Sequence, residues 1–78
     1  MTFQAHLRVL IYPIQFEKDP LDGVDRVLKQ IADRDPSEFT AAIDAGLQSD
    51  EMLSDVLPQP HPEPVIRAYL AEVRRRLA

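Results

Sequence analysis

The chain contains no cysteine, only two glycines, and no apolar run long enough to cross a bilayer. Each absence removes a class of function. Without cysteine there is no disulfide to staple a small core, no thiol nucleophile and no thiolate ligand for zinc, and this usage fits a reducing compartment. Gly23 and Gly46 stand alone, so no glycine-rich loop exists to cradle a phosphate. A membrane-spanning helix needs about 20 consecutive apolar residues, which no stretch approaches. Met1 to Tyr12 carries Arg8 inside its apolar run and no small-residue cleavage site follows, so it does not read as a leader. The expectation is a soluble, cytoplasmic protein.

Clustered positive charge is also missing. Between Glu17 and Asp55 the chain carries eleven acids against four bases (Lys18, Arg26, Lys29, Arg34), while the whole chain has a net charge of −4. Nucleic acid binding needs clustered Lys and Arg to displace phosphate counterions, so neither DNA nor RNA is an expected partner. An acidic segment of this kind suits a basic protein surface. At 78 residues the chain is expected to form one domain, 1–78, near the size where a single core supplies only a few kcal/mol of net stability.

What is present is helical periodicity. Thr2 to Tyr12 ("TFQAHLRVLIY") reads either as a helix, with Phe3, Leu7, Leu10 and Ile11 on one stripe, or as a strand, with Leu7, Val9 and Ile11 alternating. Nothing else in the chain has a period of two to pair with a strand, so helix is the favoured reading, ending where Pro13 disfavours helical geometry at Tyr12. "PIQFEK" (Pro13 to Lys18) is a connection with two readings. Ile14 and Phe16 fold back over the first helix, or Tyr12, Gln15 and Phe16 form an exposed recognition patch.

Asp19-Pro20 and Asp35-Pro36 are matched helix starts, each an aspartate cap followed by a proline whose missing N–H is harmless at the first helical position. After the first, Leu21, Val24, Val27, Leu28 and Ile31 make an apolar stripe, and Asp22–Arg26 and Asp25–Lys29 are i, i+4 pairs. After the second, Glu38 is placed to reach back to the cap, and Phe39, Ala42, Ile43 and Leu47 face inward. Ser49 or Asp50 caps a short helix with Met52, Leu53, Val56 and Leu57 inward, stopped by Pro58. "PQPHPEP" reads as a stiff extended spacer. Pro64 opens a last helix with Ile66, Tyr69, Leu70, Val73 and Leu77 inward and Arg67, Arg74, Arg75 and Arg76 mostly outward, the last three complementing the C-terminal dipole. The predicted architecture is all-α: a small irregular bundle of about five helices near 3–12, 20–33, 36–47, 50–57 and 64–77. Leu28, Ile31, Phe39, Ile43, Leu53, Leu70 and Val73 are the expected core.

No pattern in the chain points to catalysis, and no catalytic, cofactor-binding or metal-ligating residue is expected. His6 and His61 are far apart in sequence and neither has a second ligand at helical zinc spacing, so His61 with Glu63 reads as a solvated polar pair. The aspartates lack the spacing of a calcium-binding loop. The arginine run reads as a solvated helix end and the proline segment as a rigid connection.

One resemblance draws these features together. An apolar first helix leads into a connection bearing Tyr12, Gln15 and Phe16, then acidic helices, then "SEFTAAIDAGLQSDEMLSDVL", a proline-containing connection and a closing "IRAYLAEVRRRL". This order resembles small immunity proteins of bacterial contact-dependent growth inhibition systems. The resemblance implies a cytoplasmic protein that binds and neutralises the toxic C-terminal domain of a cognate toxin, many of which are nucleases with basic active sites. The residues expected to meet that partner are Tyr12, Gln15, Phe16, Asp22, Asp25, Asp44, Asp50 and Asp55. Two other classes stay open: a non-enzymatic helical interaction or assembly domain, including a homodimer, and a DNA-binding antitoxin, for which only the last helix offers bases.

Overall fold

A computed structural model of the chain describes residues 3–49, 52, 53, 56 and 59–77. The fold is all-α. Four α-helices, α1 (Phe3–Ile11), α2 (Val24–Gln30), α3 (Pro36–Gln48) and α4 (Glu63–Leu77), are joined by two 3₁₀-helices, Tyr12–Phe16 and Pro20–Gly23, and no strand occurs among the described residues. The first segment is therefore the helix that the missing strand partner implied. Among the described residues four α-helices stand where about five were expected. The short helix anticipated over 50–57 falls on a stretch of which only Met52, Leu53 and Val56 are described.

The anticipated helix 20–33 is divided. Asp19 caps it as expected, its Oδ1 accepting from the Leu21 amide at 3.0 Å. Its first turn, however, is a 3₁₀-helix, in which the Val24 amide bonds back to Leu21. The reason lies at Gly23, where an added Cβ would come within 3.0 Å of Ile14 Cγ2. The two 3₁₀-helices are thus pressed together where glycine leaves room. Leu21 leaves the apolar stripe in consequence and is exposed. After Gln30 the helix tightens again, with Arg34 N bonding Ile31 O, and the chain turns into the second cap.

At that cap Asp35 Oδ1 accepts from both the amide and the hydroxyl of Ser37, at 3.0 and 2.7 Å. These two bonds, the hydroxyl first, hold the Asp35 carboxyl below its ordinary pKa. Glu38 does not close a capping box. It lies instead 3.2 Å from His6 Nε2 on α1, while the His6 ring stands edge-on to Phe39.

α3 is the central element, packing on α1 along one side and α4 along the other, while α2 packs on α4. One apolar cluster joins all of them: Leu7, Leu10, Ile11 and Ile14 from the N-terminal arm, Val24 and Val27 from α2 with Ile31 just past its end, Phe39 and Ile43 from α3, and Ile66, Tyr69, Leu70 and Val73 from α4. Of the expected core, Leu28 alone is only partly buried. Gly46 lies in the α1–α3 crossing, where a Cβ would meet Leu7 Cδ1 at 3.0 Å, and α3 ends two residues later at Gln48.

α4 also completes helix ends left open elsewhere. The last carbonyls of an α-helix lack intrahelical partners. The buried Tyr69 hydroxyl donates to Leu10 O of α1 at 2.6 Å. Arg67 points inward and does not lie on the solvated face as expected: its guanidinium donates to Leu47 O and Ser49 O, both at 3.1 Å, and to Glu63. Glu63 in turn accepts from Leu53 N at 3.0 Å. His61 is likewise not the solvated partner of Glu63. It is buried, with Nε2 2.9 Å from Ile14 O. A carbonyl oxygen only accepts, so Nε2 carries the proton. Gln59 folds around the His61 backbone, accepting from its N and donating to its O.

Candidate functional site

The periodicity of α1 runs through Pro13 without losing phase. Leu7, Leu10, Ile11 and Ile14 form one continuous buried stripe, because a 3₁₀ turn accepts proline at its start and keeps the chain nearly helical. On the opposite side the i+4 row Arg8, Tyr12 and Phe16 faces out. The two readings of "PIQFEK" are therefore divided between its residues: Ile14 is fully buried, whereas Phe16 is 79% exposed and Tyr12 57% exposed. Their rings meet edge to face, with centroids 6.5 Å apart and planes at 85°. Gln15, between them, is half-buried.

This aromatic pair borders an open groove of about 670 Å³, lined by Arg8, Val9, Tyr12, Pro13 and Phe16 from the N-terminal arm and by Arg26 and Gln30 from α2. It exists because α1 packs chiefly on α3 and α2 on α4, leaving their facing sides apart. Arg8 donates from Nε to Val56 O at 3.3 Å, and Arg26 reaches Glu17 at 3.1 Å. A smaller hollow continues past the shared Val9 toward Ala5, His6, Arg34 and Glu38, where Arg34 stacks over the Phe39 ring at 5.2 Å.

The acids behave differently from one another. Asp25 takes an ion pair from Arg76 at 2.8 Å in place of the anticipated one from Lys29. Asp44 takes one from Arg74 at 3.0 Å. Arg76 and Arg75 also hold Glu72, whose pKa falls to about 2 because of Arg75 first and Arg76 second. The arginine run at the end of α4 thus neutralises acids on α2 and α3. Asp22 is exposed and has no ion pair with Arg26, which turns to Glu17. Asp50 and Asp55 lie outside the described residues.

Of the eight residues proposed from sequence, Tyr12 and Phe16 come together at the groove. Asp25 and Asp44 are bound up elsewhere. Sequence reasoning missed Arg8, Val9, Arg26 and Gln30 as groove residues. The signal for the first two was available, since extending the helical period of α1 across Pro13 places Arg8 in register with Tyr12 and Phe16. No group of three His, Asp or Glu side chains comes together to hold a metal among the described residues. Among the described residues no helix is long and apolar enough to cross a membrane. Comparison of the chain with protein-family models, with curated proteins and with solved structures finds no match.

Proposed function

We propose that this chain is a non-catalytic binding protein of the immunity type, a small helical bundle that acts in the cytoplasm by holding and blocking the toxic domain of a cognate toxin. The observation that carries this reading is the Tyr12–Phe16 pair. In a domain with few aromatic residues, two stand exposed side by side at the edge of an apolar groove, while Phe39 and Tyr69 are fully buried. Exposed aromatics cost solvation unless a partner covers them, and aromatic anchors in pockets supply much of the energy of protein interfaces. Asp22, on the 3₁₀-helix packed against the one that bears the aromatics, adds exposed negative charge that speeds the approach of a basic partner.

The test is binding of the purified chain to the C-terminal domain encoded by the neighbouring gene, together with protection of cells expressing that domain. Phe16→Ser is expected to remain folded and to lose both. The association rate should also fall with salt as the Debye length shrinks from about 10 Å at 0.1 M to about 3 Å at 1 M. If the chain instead runs as a dimer in solution that Phe16→Ser converts to a monomer, the groove belongs to a second copy and the immunity reading fails.

A further inference from the structure

The groove has the opposite charge to the protein that carries it. The chain is acidic overall, yet the charged residues lining the groove are Arg8 and Arg26, while the adjoining hollow holds Arg34 and Glu38 together. Each guanidinium has five N–H donors in a planar fork suited to a carboxylate. Among the described residues Arg8 uses one of these on Val56 O and Arg26 meets only Glu17. The Arg26 side chain is 64% exposed, and an ion pair so wet is held weakly enough to be shared with an incoming carboxylate. Between the cations the lining is apolar: Val9, Tyr12, Pro13 and Phe16.

The walls also restrict the backbone of the occupant. Both are helical, so their amides and carbonyls are engaged within their own helices, and no strand edge occurs there for an extended peptide to pair with. An extended segment seated in this open groove would gain no backbone pairing from the walls and would leave its amides and carbonyls to water, whereas a helix satisfies them internally and presents only side chains to the walls. We infer that the groove between α1 and α2 receives an acidic amphipathic helix of the partner, its apolar side chains set against Tyr12 and Phe16 and its carboxylates flanking them on Arg8 and Arg26. This rests on the binding reading above and adds the chemistry of the segment that enters the groove. The acidic coat meets the partner's basic surface, and the cationic groove selects one acidic helix within it, so opposite charge patterns fix the register of docking.

The probe is a short labelled helical peptide carrying leucines one turn apart and glutamates beside them, compared with the same peptide bearing lysines in place of the glutamates. Binding to the full chain is followed by fluorescence anisotropy and by amide shift changes. The glutamate peptide should bind and perturb Val9, Tyr12 and Gln30, and the lysine peptide should not. Phe16→Ser should abolish binding, Arg26→Glu should weaken it about three- to tenfold, and Arg26→Gln should fall between the wild type and that reversal. Equal or tighter binding of the lysine peptide, binding of neither, or indifference of the glutamate peptide to Arg26→Glu in a folded variant overturns the inference. These failures are separate from failure of the immunity reading. A toxin domain that still needs Phe16 would keep that reading while the groove chemistry falls. Binding of the glutamate peptide by a chain that protects no cell would sink the reading and leave the groove chemistry standing.

Discussion

The side of the molecule built on α3 and α4 and the side formed by α1 and α2 use the same residue types for opposite purposes. Tyr69 is fully buried and its hydroxyl completes a helix end, whereas Tyr12 lies in the open against another exposed ring. Arg67 ties three acceptors together beneath α3, whereas Arg26 stands at the rim of a groove with one carboxylate beside it. Acids paired with the tail of α4 are neutralised within the chain, while Asp22 is left free to face a partner. Cohesion is thus concentrated on one side and unpartnered surface on the other. Substitutions at Tyr69 and Arg67 should lower stability, and those at the exposed groove residues Phe16 and Arg26 should lower binding.

The sharpest separation is expected at Tyr69. Tyr69→Ala removes a fully buried aromatic and should destabilise by about 3–5 kcal/mol, enough to unfold much of so small a domain. Tyr69→Phe keeps the ring and leaves Leu10 O without its donor, for about 1–3 kcal/mol. Urea titrations measure both. The phenol gives a second signature, because burial pushes its pKa above the ordinary 10.0. The folded state therefore favours the neutral form, and the stability this contributes is fully present below pH 10.0 and falls as pH rises past it. An alkaline limb as steep in Tyr69→Phe as in the wild type would show that Tyr69 is not its source.

At Arg67 the expected loss is smaller. Arg67→Ala leaves Leu47 O, Ser49 O and the half-buried Glu63 without this donor, at about 1–3 kcal/mol. Groove affinity should not change in molecules that remain folded, and a parallel loss of binding would merge the two sides into one. Phe16→Ser is the mirror experiment. Its effect on stability should stay within about 0.5 kcal/mol, while affinity for the partner falls by at least about 2 kcal/mol, roughly thirtyfold in Kd. Stability lost on that substitution would mean that Phe16 belongs to the core after all.

How much of this was legible in the sequence follows the same division. Local chemistry was readable, because an aspartate before a proline at Asp19 and Asp35 specifies a cap whatever surrounds it, and the burial of Phe39, Ile43, Leu70 and Val73 followed from helical period alone. What failed depended on contacts across long separations. Nothing near Arg67 in sequence announces that the carbonyls ending α3 will lie beneath it. Nothing near His61 announces Ile14 O, 47 residues away. The division of the helix expected over 20–33 turned on Gly23 meeting Ile14, again a tertiary approach. The groove was half legible, since a proline disfavours an α-helix through Tyr12 but is compatible with a 3₁₀ turn in phase with α1.

The smallest expected effect tests whether the ion pairs at the end of α4 belong to the cohesive side at all. Glu72 has an ordinary pKa of 4.5 and is held at about 2 by Arg75 first and Arg76 second. A folded-state pKa below the unfolded one means that the contribution is fully present above about 4.5 and is lost as pH falls toward 2. Asp35, lowered by Ser37, acts in the same direction. Asp35 is exposed, as are the arginines that meet the half-buried Glu72, so water and salt screen the pairs and the acid limb should be shallow and should flatten further at high ionic strength. Glu72→Gln should remove most of it, since it takes away the charge that pairs with Arg75 and leaves Arg76, among the described residues, its pair with Asp25. Asp25→Asn alone should change little, because Arg76 keeps Glu72. If Asp25→Asn proves as costly as Glu72→Gln, the α2–α4 bridge is the stronger link, and α2 belongs energetically to the α4 side and not to the groove it helps to line.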